Sequence, residues 1–470
     1  DYILIKKYFI LLYKKMSSSI PAFSRRRVSL HPNNAPSGNT YSATQFPQMN
    51  FVIARQPAFL LPHTLRLNGK FKLVKSDGTL PVNIPNGAAS ATNGSAVNPR
   101  NGISSIFEEI GIQTLNGRNL ETVRSYNRYL ASSKPFTNNC FDMNNGLNLE
   151  DPFIASKSIM NARTANVETH FSLPLEVGMF GDMPLNISEK GFHGLQLNLL
   201  LTENSVVSQP FFLYQNGVES SVLSTDTYQY ELTDVFLTFD LIKPSEEFFN
   251  KLPSSGQMSF NTIQSFRSTI LASDTTTNLR FGCKNVISVT HSFLPNSHAI
   301  NRAVNSFRLS QLSNNATTTS LGATTPIRQV QYMRAGELFP YNYILDSEQE
   351  GIDGNPQAMI EEPALNSVTL YDNRHSSLNP MSNVGINNQK AFAGANQVKG
   401  LPETMALDPE STFILGVPMD SQKHGANFKD REYAIRIQSG LDNTVANNLY
   451  TFVRCRNVAQ YSPTGVNVIE

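Results

Sequence analysis

The run Leu65-Arg66-Leu67-Asn68-Gly69-Lys70-Phe71-Lys72-Leu73-Val74 sets Leu65, Leu67, Phe71 and Leu73 at alternate positions, with Arg66, Asn68, Lys70 and Lys72 between them. Successive strand side chains point to opposite faces of a sheet, so this run has one apolar face and one wet, cationic face. That is the pattern of an antiparallel strand lying on a core.

The same rhythm recurs on both sides. Upstream, Phe51 to Ala54 reads as a strand, and Pro57 and Pro62 mark a corner where no ladder bond is needed. Downstream, Ile106 to Leu115 and His170 to Val177 read as strands. Leu195, Leu197 and Leu199 alternate with Gln196 and Asn198, and Tyr228, Tyr230 and Leu232 with Gln229, Glu231 and Thr233. Val235 to Ile242 follows. Asn116-Gly117, directly after Leu115, signals a hairpin because both residues tolerate positive φ. Leu120, Val123, Asn127 and Leu130 fall at helical spacing and predict one short helix.

Pro244 and Pro253 bracket a short connection, Ser245 to Leu252, with Ser245 as N-cap and Glu246 and Glu247 in the first turn. Beyond it the strands restart. Ile287, Val289, His291 and Phe293 share one face, and Ser288, Thr290 and Ser292 the other. Asn305 to Leu312, Gln329 to Met333, Phe413 to Val417, Tyr433 to Ile437 and Leu449 to Arg454 continue the pattern. The expectation is an all-β chain of two tandem antiparallel sandwiches, residues 51–243 and 258–470, joined by a linker at 244–257. Long polar loops fall at 76–102, 131–165 and 346–410.

Residues 16–50 read as a polar arm in which Pro21, Pro32, Pro36, Pro47, Asn33-Asn34 and Gly38 deny regular structure. Met16 before Ser17-Ser18-Ser19 reads as the natural start, and residues 1–15 as non-native read-through. Tyr2 to Tyr13 is apolar but cut by Lys6 and Lys7, and is short of a membrane span.

Composition agrees with an all-β chain. Of 470 residues only 16% are charged, below the roughly 25% of an average soluble protein. Asn, Ser and Thr take up the difference, and these compete with helices through local side-chain hydrogen bonds. With 29 Phe, 16 Tyr and no Trp, phenylalanine dominates the expected core. The net charge of +1 lacks the basic excess of a non-specific nucleic-acid binder. Arg25, Arg26 and Arg27 form a local basic run, read first as a solvated tail and second as an interior or inter-subunit contact.

No catalytic, cofactor or metal site is legible. The chain has no GxSxG, Walker A, HExxH or strand-following GxGxxG motif. Its histidines (His31, His63, His170, His193, His291, His298, His375 and His424) are scattered, and His291, on an apolar strand face, reads as a hydrogen-bonded core residue. Cys140, Cys283 and Cys455 are too widely spaced for a zinc or disulfide framework and suit a reducing compartment. Asp346-Ser347-Glu348-Gln349-Glu350-Gly351 has the alternating acids of a calcium loop, but the closing position is Gln357. Asn93, Asn186 and Asn315 head glycosylation sequons, which arise by chance in such a chain.

The order of segments resembles the double jelly-roll major capsid proteins of icosahedral double-stranded DNA viruses, most of all the polinton-like virus and virophage group. Four stretches carry the resemblance: Pro57-Ala58-Phe59-Leu60-Leu61-Pro62 leading into Leu65-Arg66-Leu67; Leu115-Asn116-Gly117 with Leu120-Glu121-Thr122-Val123 and Tyr126-Asn127; Phe171-Ser172-Leu173-Pro174-Leu175 followed by Gly178-Met179-Phe180; and Val330-Gln331-Tyr332 with Gly336-Glu337-Leu338-Phe339-Pro340. It spans about residues 50–470. It implies two jelly rolls per chain and homotrimeric, pseudo-hexagonal capsomers tiling a shell with penton and minor capsid proteins. It also implies a virion location after synthesis in the host cytoplasm or nucleus, and makes Arg25 to Arg27 a candidate contact for neighbouring capsomers, packaged DNA or an internal membrane. Two other classes share part of the pattern: a trimeric spike, fibre or lectin-like glycan binder, and a cupin-like enzyme, which needs a clustered metal set that these histidines do not supply.

Overall fold

The computed structural model describes residues 23–75, 95–97, 101–137, 168–181, 183–204, 208–210, 212–215, 218–221, 228–299, 307, 309, 312–314, 324–325, 327–346, 367, 414–419 and 425–469. In the first half the principal strands are β1 (Phe23–Leu30), β2 (Gln48–Ile53), β3 (Arg66–Lys75), β4 (Phe107–Thr114) and β5 (Asn119–Arg124). Helix α1 (Tyr126–Thr137) follows, then β6 (Thr169–Pro174), β7 (Leu195–Leu201) and β8 (Tyr228–Pro244). Strand β8 is the spine of one sheet, with β1 on one side and β3, then β6, on the other. The second sheet runs β2-β7-β4-β5. Leu67, Phe71 and Leu73 of β3 are buried in one core with Ile110, Ile112, Leu197 and Leu199 of the other sheet, as the alternation requires.

Helix α2 (Glu246–Lys251) fills the expected connection, and the Ser245 hydroxyl accepts the Phe248 N–H at 3.3 Å. The second half contains β9 (Gly256–Ile270), β10 (Asp274–Leu279), β11 (Val286–Pro295), β12 (Ile327–Arg334), β13 (Leu415–Pro418), β14 (Tyr433–Ser439), β15 (Asn447–Ser462) and β16 (Gly465–Ile469). One sheet runs β9-β15-β11-β13, with β16 also on β15, and the other β10-β14-β12. Val289, Phe293, Leu449, Val453 and Cys455 fill the core between them. All named pairs are antiparallel.

Several sequence expectations are corrected. Phe23–Leu30, read as part of an arm without regular structure, is strand β1, paired along its whole length with Leu237–Pro244 of β8, while its arginine run is exposed as expected. The prolines flank this segment rather than interrupt it. The helix expected from Leu120 is displaced: Leu120 and Val123 are buried on β5, and α1 begins only after Ser125, whose φ is +50°. A period of three or four read across that kink belongs to no single element. Residues 131–137, read as loop, continue α1. At the β4–β5 turn only Gly117 takes positive φ, at +80°. The Gly117 N–H donates to the Thr114 carbonyl, and the Thr114 N–H to that of Arg118, so this is a longer turn closed by a left-handed glycine. Both faces of β11 are covered: Ser288, Thr290 and Ser292 are buried, like every residue of the strand. Residues 1–22, most of the long loops, Cys140, Asn93, Asn315, His375, His424 and 347–357 of the acidic loop lie outside the described residues.

Candidate functional site at the junction of the two sandwiches

Burial of β11 on both sides follows from its place. Along β15, Leu449, Thr451, Val453 and Cys455 point into the second core. The residues between them, Tyr450 and Phe452, belong to the first core cluster, together with Phe260, Ile263 and Leu294. The β9-β15-β11-β13 sheet is therefore packed on both faces, one against its own sandwich and one against the other. Ring contacts line the seam. Tyr129 meets Phe452 edge-on at 5.4 Å, Phe192 meets Phe260 at 5.8 Å, and the Arg128 guanidinium lies 4.7 Å from the centre of the Tyr450 ring.

Glu121 on β5 is buried at the centre of this seam. One carboxylate oxygen accepts the N–H of Gly178 at 3.0 Å and that of Ile263 at 2.7 Å, and the other accepts the N–H of Met179 at 3.0 Å. Gly178 and Met179 belong to a short 3-10 turn of the first sandwich, whereas Ile263 is on β9 of the second. One side chain thus joins three backbone donors across the junction. Burial pushes its carboxyl up to about 7, against the opposing pull of those donors and of the Arg454 charge. Gly178 allows the close approach: a Cβ there would fall 2.7 Å from the Thr262 N and Cα. His193 donates through Nε2 to the Ser462 carbonyl at 2.8 Å. The Lys190 ammonium caps α2 by donating to the carbonyls of Phe249 at 2.8 Å and Leu252 at 3.0 Å.

The arginine run lies apart, on β1. Arg25 and Arg27 point to one side and both bond Asp240 of β8, Arg27 through Nε at 2.9 Å. Hydrogen bonding from Arg27, and then from Arg25, holds the Asp240 carboxyl below its usual range against the effect of burial. Arg25, Arg26 and Arg27 are all exposed. Two guanidinium groups against one carboxylate, with Arg26 on the opposite face of the strand, leave the strand cationic.

His291 is fully buried, with Nδ1 2.9 Å from the Thr451 hydroxyl and Nε2 2.7 Å from the Tyr433 hydroxyl, the core role expected of it. Burial lowers it to about 3. Cys283 and Cys455 are buried, and the Cys283 thiol donates to Asn457 Oδ1 at 3.6 Å. Asn186 heads a sequon but is buried; its amide donates to the Lys190 carbonyl, and its oxygen accepts from the Ser188 N–H and hydroxyl. Among the described residues no three His, Cys, Asp or Glu side chains gather as a metal set, and no helix is long and apolar enough to cross a membrane. Sequence reasoning missed Glu121. Its donors lie 57 to 142 residues further along the chain, and no local signal marks it.

Two stacked-sheet units in tandem, each of antiparallel strands, define a double jelly roll. No protein-family model and no curated protein matches the chain. Solved structures do. VP54 of PBCV-1, fitted into a reconstruction of the virophage Sputnik, aligns over 97% of this chain and 99% of its own, with a TM-score of 0.55 at 11% identity. The Faustovirus major capsid protein aligns over 94% and 91%, with a TM-score of 0.53 at 9% identity. A chain of the Sputnik virophage structure aligns over 97% and 90%, with a TM-score of 0.52 at 10% identity. The fold is that of viral major capsid proteins, as the order of segments led us to expect.

Proposed function

We propose that this chain is a viral major capsid protein, a structural subunit without a catalytic role, that assembles as a homotrimer and tiles an icosahedral shell. The observation that carries the reading is the junction. Glu121, the Gly178 contact and the shared core hold two jelly rolls together as one two-lobed tile. Three such tiles about an axis give a pseudo-hexagonal outline, which packs against copies of itself by symmetry. In this reading residues 51–243 and 258–470 are the two lobes, with 244–257 between them. Neighbouring capsomers, penton and minor capsid proteins are the partners, and the virion is the location.

The cationic face of β1 suits a contact with a neighbouring capsomer, or with packaged DNA or membrane on the shell interior, and Arg26 is the arginine not engaged by Asp240 in the bonds described. Electron micrographs of the purified protein test the assembly reading. Shells or flat sheets built from hexagonal units support it, whereas discrete particles with no lattice under any assembly condition favour a spike or glycan-binding protein.

A further inference from the structure

A second feature of the seam is independent of any assembly. Between α1 of the first jelly roll and β11 of the second lies a cavity of about 20 Å³, walled by Tyr129, Ser132, Ser133, Ser288, Thr290 and Arg454, among others. Hydroxyl groups of five Ser and Thr residues share its lining with the apolar Ile263 and Phe452. The Ser133 hydroxyl is buried and, among the described residues, has no hydrogen-bond partner. Ser132, beside it, already donates to the Tyr129 carbonyl at 2.8 Å. The Thr290 hydroxyl lies 3.3 Å from that of Ser367, and Ser288 and Thr290 reach the cavity from the same face of β11.

A buried hydroxyl without a partner is destabilising, so natural interiors seldom leave one unpaired. A void needs only about 10–15 Å³ and two to four polar partners to hold a water. This cavity meets both conditions, and its partners come from both jelly rolls. We infer that one ordered water molecule occupies it, bonded to Ser133 on α1 and to Ser288 and Thr290 on β11, so that it bridges the two sandwiches. Hydroxyl groups suit water better than an ion, because each can donate or accept as the water turns.

An experimental map that shows ordered waters, taken on the full chain, tests the inference. A single peak within hydrogen-bond distance of Ser133 and of β11 is expected. Ser133→Ala with Thr290→Val should lose that peak. Thermal melting gives a second, opposite-signed readout. If water fills the site, Ser133→Ala strips it of a partner and lowers Tm. If the site is dry, the same change removes an unpaired hydroxyl and raises Tm. An empty cavity with a raised Tm overturns the inference, as does a peak that exchanges with bromide in the crystal, which marks an anion.

Discussion

The Glu121 carboxylate accepts the Ile263 N–H at 2.7 Å although the two residues belong to different jelly rolls. The same carboxylate holds Gly178 and Met179, so its loss strands three backbone donors at once, two of them buried. Each buried donor left unpaired costs about 1–3 kcal/mol. Glu121→Ala is expected to lower the unfolding free energy by at least about 2 kcal/mol in urea titrations. Glu121→Gln keeps one acceptor and should cost less, about 1–2 kcal/mol. Wild-type stability for Glu121→Ala would show that the clasp carries no weight.

The pH dependence has a defined sign. Burial raises the Glu121 carboxyl from 4.5 to about 7. Between those values the folded chain holds a proton that the unfolded chain has released. The stability from this group is complete below the lower value and lost as pH rises through about 7, a span of about 3 kcal/mol. His291 acts oppositely: burial lowers it from 6.5 to about 3, so its contribution is complete above 6.5 and lost as pH falls toward 3. The two slopes overlap, so the Glu121 effect is read as the difference between wild type and Glu121→Gln. That difference should favour wild type more at about pH 5 than at about pH 8. A difference that is flat with pH would contradict the assignment.

Gly178→Ala should disturb the junction, since the added Cβ would meet β9 backbone at 2.7 Å and neither side is a flexible side chain. A loss of about 1–3 kcal/mol is expected. Gly111→Ala is the control, because its nearest neighbour would be 3.9 Å away. Equal stability of the two variants in thermal melts would mean that the sandwiches can separate slightly without cost.

Asp240→Asn should loosen β1. Arg25 and Arg27 are exposed, so the global cost stays near or below about 1 kcal/mol. The local effect is larger: β1 frays, and trypsin cleaves after Arg25, Arg26 and Arg27 faster than in wild type. Unchanged cleavage would show that backbone pairing with β8 alone holds the strand.

The parts of this architecture legible in the sequence are those written locally. The alternation from Leu65 to Leu73, the Ser245 cap with Glu246 and Glu247, and the His291 face each depend on neighbours within one element, and each is found. The misread parts depend on distant partners. Arg25 and Arg27 are exposed as a solvated run would be, but their pairing with Asp240, more than 200 residues away, has no local signal. The cover that the first jelly roll lays over Ser288 and Thr290 has no local signal either. Glu121 reads as one more strand carboxylate, since its donors come from the 3-10 turn and from β9. The apparent helix from Leu120 joined a strand and a helix across the Ser125 kink.

A single-particle reconstruction of the purified chain tests the central claim most directly. Threefold particles with a six-lobed rim, two lobes from each subunit and β1 at a subunit boundary or on the inner surface, are the predicted result. A monomer, or an oligomer in which the two jelly rolls of one chain come apart and no hexagonal outline forms, would contradict it.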